Sequence, residues 1–83
     1  MTDQELIDKY IEPNRDRSSM AEARVAGYGV PVWALGGHLE AVHGDVAQVA
    51  HDYRLPLEAV EAALAYYRRH KILIDDRLEA NAG

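Results

Sequence analysis

The feature that most constrains this chain is a stripe of residues at alternating spacings of three and four: Leu57, Val60, Leu64, Tyr67, Lys71, Ile74 and Leu78. Such a stripe lies along one face of a helix and has heptad-like character. It predicts a single continuous helix over Pro56–Asn81, with Pro56 at a first helical position, where its missing N–H would be unpaired anyway. At 1.5 Å of rise per residue that helix would run to roughly 38 Å, whereas a compact domain of this size is about 25–30 Å across. Its C-terminal end is therefore expected to project from the domain or to lie on a partner.

With 83 residues the chain makes one domain, with a core near the lower limit for folding alone. Almost half of the residues are apolar (48%), which excludes a disordered composition. Five Tyr, one Trp and no Phe leave a thin core, filled by Leu, Val, Ile and many Ala. A small Ala-rich core favours close helix packing and leaves stability to be completed by oligomerisation, so a homodimer is the expectation. There is no Cys, which removes disulfides and thiolate chemistry and gives no pointer to secretion. No apolar run approaches the ~20 residues needed to span a membrane, and the acidic N-terminus resembles no signal peptide, so a cytoplasmic location is expected. A net charge of −5 argues against indiscriminate nucleic-acid binding, which needs a cationic footprint, while leaving room for a local basic patch.

Taken in order, Thr2-Asp3-Gln4-Glu5 has the capping-box pattern, and Leu6, Ile7, Tyr10 and Ile11 then share one side of a helix that Pro13 ends. A helix this short must dock on something. Asn14–Glu22 is polar and without periodicity, hence a loop, with Arg15 and Arg17 flanking Asp16. Ala23–Ala26 reads as a short strand and Gly27-Tyr28-Gly29 as a turn that uses the positive φ open to glycine. Such a strand has no evident mate in the chain and is expected to pair across a dimer. Pro31–His43 opens another helix, with Val32, Leu35, Leu39 and Val42 on its apolar stripe and Trp33 in the core, or else displayed as a partner anchor. Gly36-Gly37 in its middle costs roughly 1 kcal/mol per residue against Ala, which points to another helix crossing closely. Gly44 suits the end of that helix, and Asp45 suits the cap of the next, whose stripe is Val46, Val49, Ala50 and Tyr53. The very short link Arg54-Leu55 before Pro56 makes a helix-turn-helix unit, with Pro31–His43 as the third packing helix.

Three segments, VPVWAL (Val30–Leu35), GDVAQVAHDYRLP (Gly44–Pro56) and EAVEAALAYYRRH (Glu58–His70), occur in an order and at separations that resemble the domain-of-unknown-function 433 family of bacterial antitoxin-like, or VapB-like, proteins. The likeness covers Arg24–His70. It implies a three-helix, homeodomain-like fold, usually dimeric and often encoded beside a PIN-like ribonuclease toxin, and a role as the toxin-neutralising, promoter-binding partner. The family commonly carries a "GTR" before the segment that opens the helix. This chain has Gly27-Tyr28-Gly29 there and places its Arg at Arg24.

The residues themselves weigh against some of this. A reading helix offers basic or amide side chains from its first turns to the major groove, whereas Glu58 and Glu61 stand there. If DNA is bound, Arg24, Arg54, Arg68 and Arg69 are the candidates, as phosphate contacts rather than base contacts. For a protein partner, Ile72-Leu73-Ile74 spans about 200° of a helix, too wide for the stripe of one small core, and with Leu78 forms an apolar patch rimmed by charge. The alternative is that a dimer mate covers it. His38 and His43 do not share a helical face and His51 and His70 have no evident neighbouring ligand, so no metal is expected. No cofactor motif and no catalytic constellation stands out.

The resulting expectation is an all-α protein with an N-terminal helical arm and loop over 1–22 and a helix-turn-helix domain over 23–83 that ends in a long helix. Its function is expected to be that of an antitoxin-like protein that occupies a toxin through its C-terminal helix and acts at its own promoter. Two alternatives stay open: a stand-alone homodimeric DNA-binding regulator, and a dimeric interaction module without DNA binding.

Overall fold

In a computed structural model that describes residues 2–12 and 21–82, five helices and one two-stranded sheet pack together: α1 (Asp3–Tyr10), β1 (Ile11–Glu12), β2 (Arg24–Val25), α2 (Val32–Ala41), α3 (Val46–Tyr53), α4 (Leu57–Arg69) and α5 (Lys71–Ala82). The fold is all-α in character, with the strands a minor addition. Most of the Asn14–Glu22 loop, Arg15 and Arg17 included, lies outside the described residues, and Ala21-Glu22 make a single 3₁₀ turn.

α4 is the axis of the molecule. Ala59, Val60, Ala62, Ala63, Leu64, Ala65 and Tyr66 are all buried on it, facing α1 on one side and α2 and α3 on the other. Four alanines among these seven let neighbouring backbones come close, as an Ala-rich core requires. α1 is closed by the capping box: Thr2 Oγ1 accepts from the Glu5 N–H while the Glu5 carboxylate accepts from the Thr2 N–H. It buries Leu6, and Tyr10 Oη donates to Glu58 Oε2 at 2.8 Å. α3 begins on Asp45, whose carboxylate accepts from the Gln48 N–H at 3.0 Å, as its cap pattern predicts. It ends on Arg54 at φ 56°, with the Leu55 N–H reaching back to the Ala50 carbonyl at 2.9 Å. A non-glycine residue in this left-handed conformation costs about 1 kcal/mol or more, accepted here because it turns the chain straight into α4.

Two expectations are overturned. The helix predicted over Pro56–Asn81 is broken at His70 (φ −124°, ψ 33°), and α5 folds back onto α2 instead of projecting. The molecule measures 28 × 27 × 20 Å, so no 38 Å rod protrudes from it. The stripe that suggested a rod is nevertheless an inward stripe on both sides of the break: Val60, Leu64 and Ile74 are buried, and Tyr67 and Leu78 pack against the core. The second correction concerns the strand read at Ala23–Ala26. It is Arg24–Val25, and its mate is Ile11–Glu12 of the same chain, antiparallel, with Ile11 opposite Val25 and Glu12 opposite Arg24. Its other edge is bonded too, by the Val25 N–H to the Val30 carbonyl and the Val32 N–H to the Ala23 carbonyl, so no dimer is needed to pair it.

The glycine pair in α2 does what its cost implied. A Cβ on Gly36 would stand 2.7 and 2.8 Å from Cε2 and Cδ2 of Tyr67, and one on Gly37 would stand 3.1 Å from Cδ2 of Leu78. α4 and α5 thus cross α2 where it has no side chains. Trp33 packs half-buried against the core with the Arg77 guanidinium 4.6 Å over its ring, and its Nε1 is buried without a hydrogen-bond partner among the described residues. Arg77 Nε in turn donates to Glu22 Oε1, which ties α5 to the segment before β2. No helix among the described residues is long and apolar enough to cross a membrane.

Candidate functional site

The four arginines do not form one patch. Arg54 sits at the turn before α4 while Arg68 and Arg69 sit at its far end, roughly 20 Å away along a helix rising 1.5 Å per residue. Arg24 is on β2, exposed, opposite Glu12. Two of the cations already have anionic or polar neighbours on α1: Arg68 Nη2 is 3.6 Å from Asp3 Oδ2, and Arg69 Nη1 donates to Gln4 Oε1. Between the two ends of α4 the exposed residues are Leu57, Glu58 and Glu61. α1 covers the flank of α4 that carries Tyr66 and Arg69. α4 is thus enclosed on most sides and presents carboxylates where a base-reading helix would present donors.

The four apolar residues assigned to a partner divide. Ile74 is fully buried in the chain's own core, and Leu78 is half-buried against Gly37, so neither is available. Ile72 at 79% and Leu73 at 47% are exposed. They lie at the elbow between α4 and α5, in a shallow groove of about 260 Å³ shared with Arg68, Arg69, His70 and Lys71. An exposed apolar residue that the stripe placed inside is Leu57, 49% exposed at the start of α4. Only its position in the first turn, ahead of the packed part of the helix, could have signalled this.

Two polar clusters flank these surfaces. On α4 and α5, Tyr67 Oη donates to Asp75 Oδ1 and Lys71 Nζ donates to Asp75 Oδ2. Lys71 first, then Tyr67, hold the Asp75 carboxyl below its ordinary value. Burial first, then Asp75, push the Tyr67 phenol up to about 12. A phenol whose folded pKa exceeds its unfolded value stabilises fully below the unfolded value, near 10, and that contribution is lost as pH rises through about 12. In an alkaline titration followed by phenolate absorbance, Tyr67 should therefore ionise well above the ordinary phenol range, with stability falling over the same interval. The component near the top of the titration should vanish in Tyr67→Phe; if it persists unchanged there, the Tyr67–Asp75 contact is absent. On α2 and α3, Asp52 accepts from Gln48 at 2.6 Å and lies 2.6 Å from His38 Nε2, and these bonds, His38 first, lower its pKa. The His38 ring meets Tyr53 edge-on at 5.4 Å. Among the described residues no three His, Asp or Glu side chains converge to hold a metal ion.

An all-α domain whose α3 and α4 are joined by a tight turn, with an apolar, cationic elbow at its C-terminal side, is the class these features define. The sequence pattern of DUF433, described as a protein of unknown function, matches residues 19–67, over half of the chain, and the chain belongs to that family. No curated protein and no solved structure matches it. The matched stretch holds β2, α2, α3 and most of α4, whereas α1, β1 and α5 lie outside it and enclose it.

Proposed function

We propose that the chain works by binding another protein, as an antitoxin-like partner of a PIN-like ribonuclease toxin. The observation that carries this reading is the elbow. Ile72 and Leu73 are large apolar side chains that the chain's own core leaves in water, beside the cations Arg68, Arg69 and Lys71. Exposed apolar surface rimmed by charge is the mark of a protein contact. The likeness of Val30–Leu35, Gly44–Pro56 and Glu58–His70 to antitoxin-like sequences supplies the kind of partner. A protein of this kind would act in the cytoplasm. The test is co-expression with a PIN-like nuclease encoded beside it. A stable complex and restored growth are expected, both lost in Leu73→Asp, which leaves the core untouched. Persistent toxicity with no complex contradicts the reading.

Action as a DNA-binding regulator of its own promoter is the second reading, and the cations at the two ends of α4 favour it. Glu58 and Glu61 between them would confine any contact to phosphates through Arg54, Arg68 and Arg69, so binding would be weakly sequence-specific and strongly salt-dependent.

A further inference from the structure

We propose that the turn between α3 and α4 is a docking site for an acidic peptide segment of another protein. A large apolar side chain of that segment seats in the groove at the turn, and a carboxylate beside it meets Arg54. Ala47, Ala50, His51 and Arg54 stand at i, i+3, i+4 and i+7 along α3 and its cap, so they share one face. With Leu55 and Leu57 they line an open groove of about 560 Å³, within the ~300–1,000 Å³ of ligand clefts. The two alanines make it concave, since a longer side chain at either position would reach into it. Ala50 and Leu55 are buried and form the floor, held by the Leu55 N–H bonded to the Ala50 carbonyl at 2.9 Å. The groove therefore exists before anything binds, which keeps the ordering cost of association low.

Two residues of the groove gain nothing from the chain's own fold. Leu57 is 49% exposed in the first turn of α4, where the helix dipole favours acidic side chains over an apolar one. Arg54 is exposed, and among the described residues its guanidinium makes no ion pair and no hydrogen bond. Arg68, Arg69 and Arg77, in contrast, lie on Asp3, Gln4 and Glu22. The carboxylates nearest to Arg54 in sequence are engaged elsewhere, Asp52 with His38 and Gln48 and Glu58 with Tyr10. An occupant that suits both residues is apolar at one position and acidic at the next, and exposed His51 adds ring nitrogens on the same side. Duplex DNA would supply the anion but leave Leu57 and the alanines in water, so the apolar half of the groove decides for a peptide. The net charge of −5 does not forbid an acidic partner, because at physiological salt a charge is screened beyond about 8 Å. The contact is small, so its dissociation constant belongs on the order of 100 µM.

This face lies at the opposite end of α4 from Ile72 and Leu73, and shares with the proposed function only the premise that the chain binds protein. The test is titration of the full, isotope-labelled chain with the blocked peptide acetyl-Asp-Glu-Leu-Phe-Asp-Glu-amide, followed by amide chemical shifts. Saturable shifts are expected at Ala47, Ala50, His51, Arg54, Leu55 and Leu57. Arg54→Glu should weaken binding by about tenfold or more through like-charge contact. Ala47→Glu should do the same by filling the groove, and it suits the first turn of α3, so the fold tolerates it. Leu73→Asp should leave the affinity unchanged. Peptides with Lys for every acid, or Ser for Leu and Phe, should also bind about tenfold more weakly or worse. No saturable shift at the turn, or equal affinity in Ala47→Glu and Arg54→Glu with circular dichroism showing both folded, would overturn the proposal. Displacement of the peptide from these residues by a short DNA duplex that binds more tightly would overturn it in favour of a phosphate site. A toxin complex that forms while the peptide leaves the turn unshifted would overturn this site alone and leave the elbow reading standing.

Discussion

Ile74→Ala is expected to lower the unfolding free energy by about 3 kcal/mol, within the 2–5 kcal/mol typical of truncating a fully buried Ile. Ile74 has no exposed surface and is among the largest fully buried side chains of the molecule. It fills the space that α5 closes against the core, and Ala would leave most of that volume empty. In a domain of this size such a loss should bring the midpoint of thermal unfolding down by on the order of 15 °C. Ile72→Ala, two residues away on the same helix, should change stability by less than about 0.5 kcal/mol, because Ile72 is 79% exposed. The contrast between the two is the useful quantity. If α5 continued α4 as a straight projecting helix, both residues would stand in solvent and both substitutions would be nearly silent. Urea titrations followed by circular dichroism would measure the pair.

Gly36→Val is the second large effect, about 2–3 kcal/mol of destabilisation. On helix propensity alone, replacing a mid-helix glycine should help or be neutral. Here the new Cβ would meet the Tyr67 ring at 2.7 Å, and Tyr67 cannot simply swing away while it donates to Asp75 and packs between α2 and α4. Gly37→Ala is gentler, since its Cβ would meet the end of the Leu78 side chain at 3.1 Å, so the propensity gain and the crowding should nearly cancel. Thermal unfolding of the two variants side by side gives the sign. Stability equal to or above that of the unmodified chain in Gly36→Val would mean that α4 does not cross α2 there.

Much of this architecture was legible in local signals. The capping box at Thr2, the cap at Asp45 and the stripes of α2, α3 and α4 each depend on residues within one or two turns, and each lies where its pattern put it. The glycine pair was legible as well, because a cost of that size within a helix needs a packing reason, and Tyr67 and Leu78 supply it. What escaped was tertiary in origin. No glycine or proline marks His70, so nothing local announces the break. The chain bends there because bending buries Ile74 and brings Leu78 onto α2, a gain that a spacing pattern cannot weigh against continuing straight. β1 escaped for a different reason. Two residues are too short to show alternation, and the helix stripe of α1 runs into them through Ile11.

The same bend changed the candidate surface. A projecting tail would have offered Ile72, Leu73, Ile74 and Leu78 together, whereas the folded helix withdraws two of them and leaves Leu57, Ile72 and Leu73 in water. The helix that follows the Arg54 turn is the centre of the core, as its buried alanines require, and the exposed residues between its two ends are Leu57, Glu58 and Glu61. The exposure of Ile72 and Leu73 without Ile74 and Leu78 therefore depends on α5 lying back on α2. The direct measurement is a nuclear Overhauser spectrum of the full chain, aided by Trp33 being its single tryptophan. The Arg77 guanidinium lies 4.6 Å over the Trp33 ring and Leu78 meets Gly37, so cross-peaks from the indole to Arg77 and from the Leu78 methyls to the Gly37 α-protons are predicted. An uninterrupted run of helical contacts through His70, with no cross-peak between α5 and α2, would contradict the account.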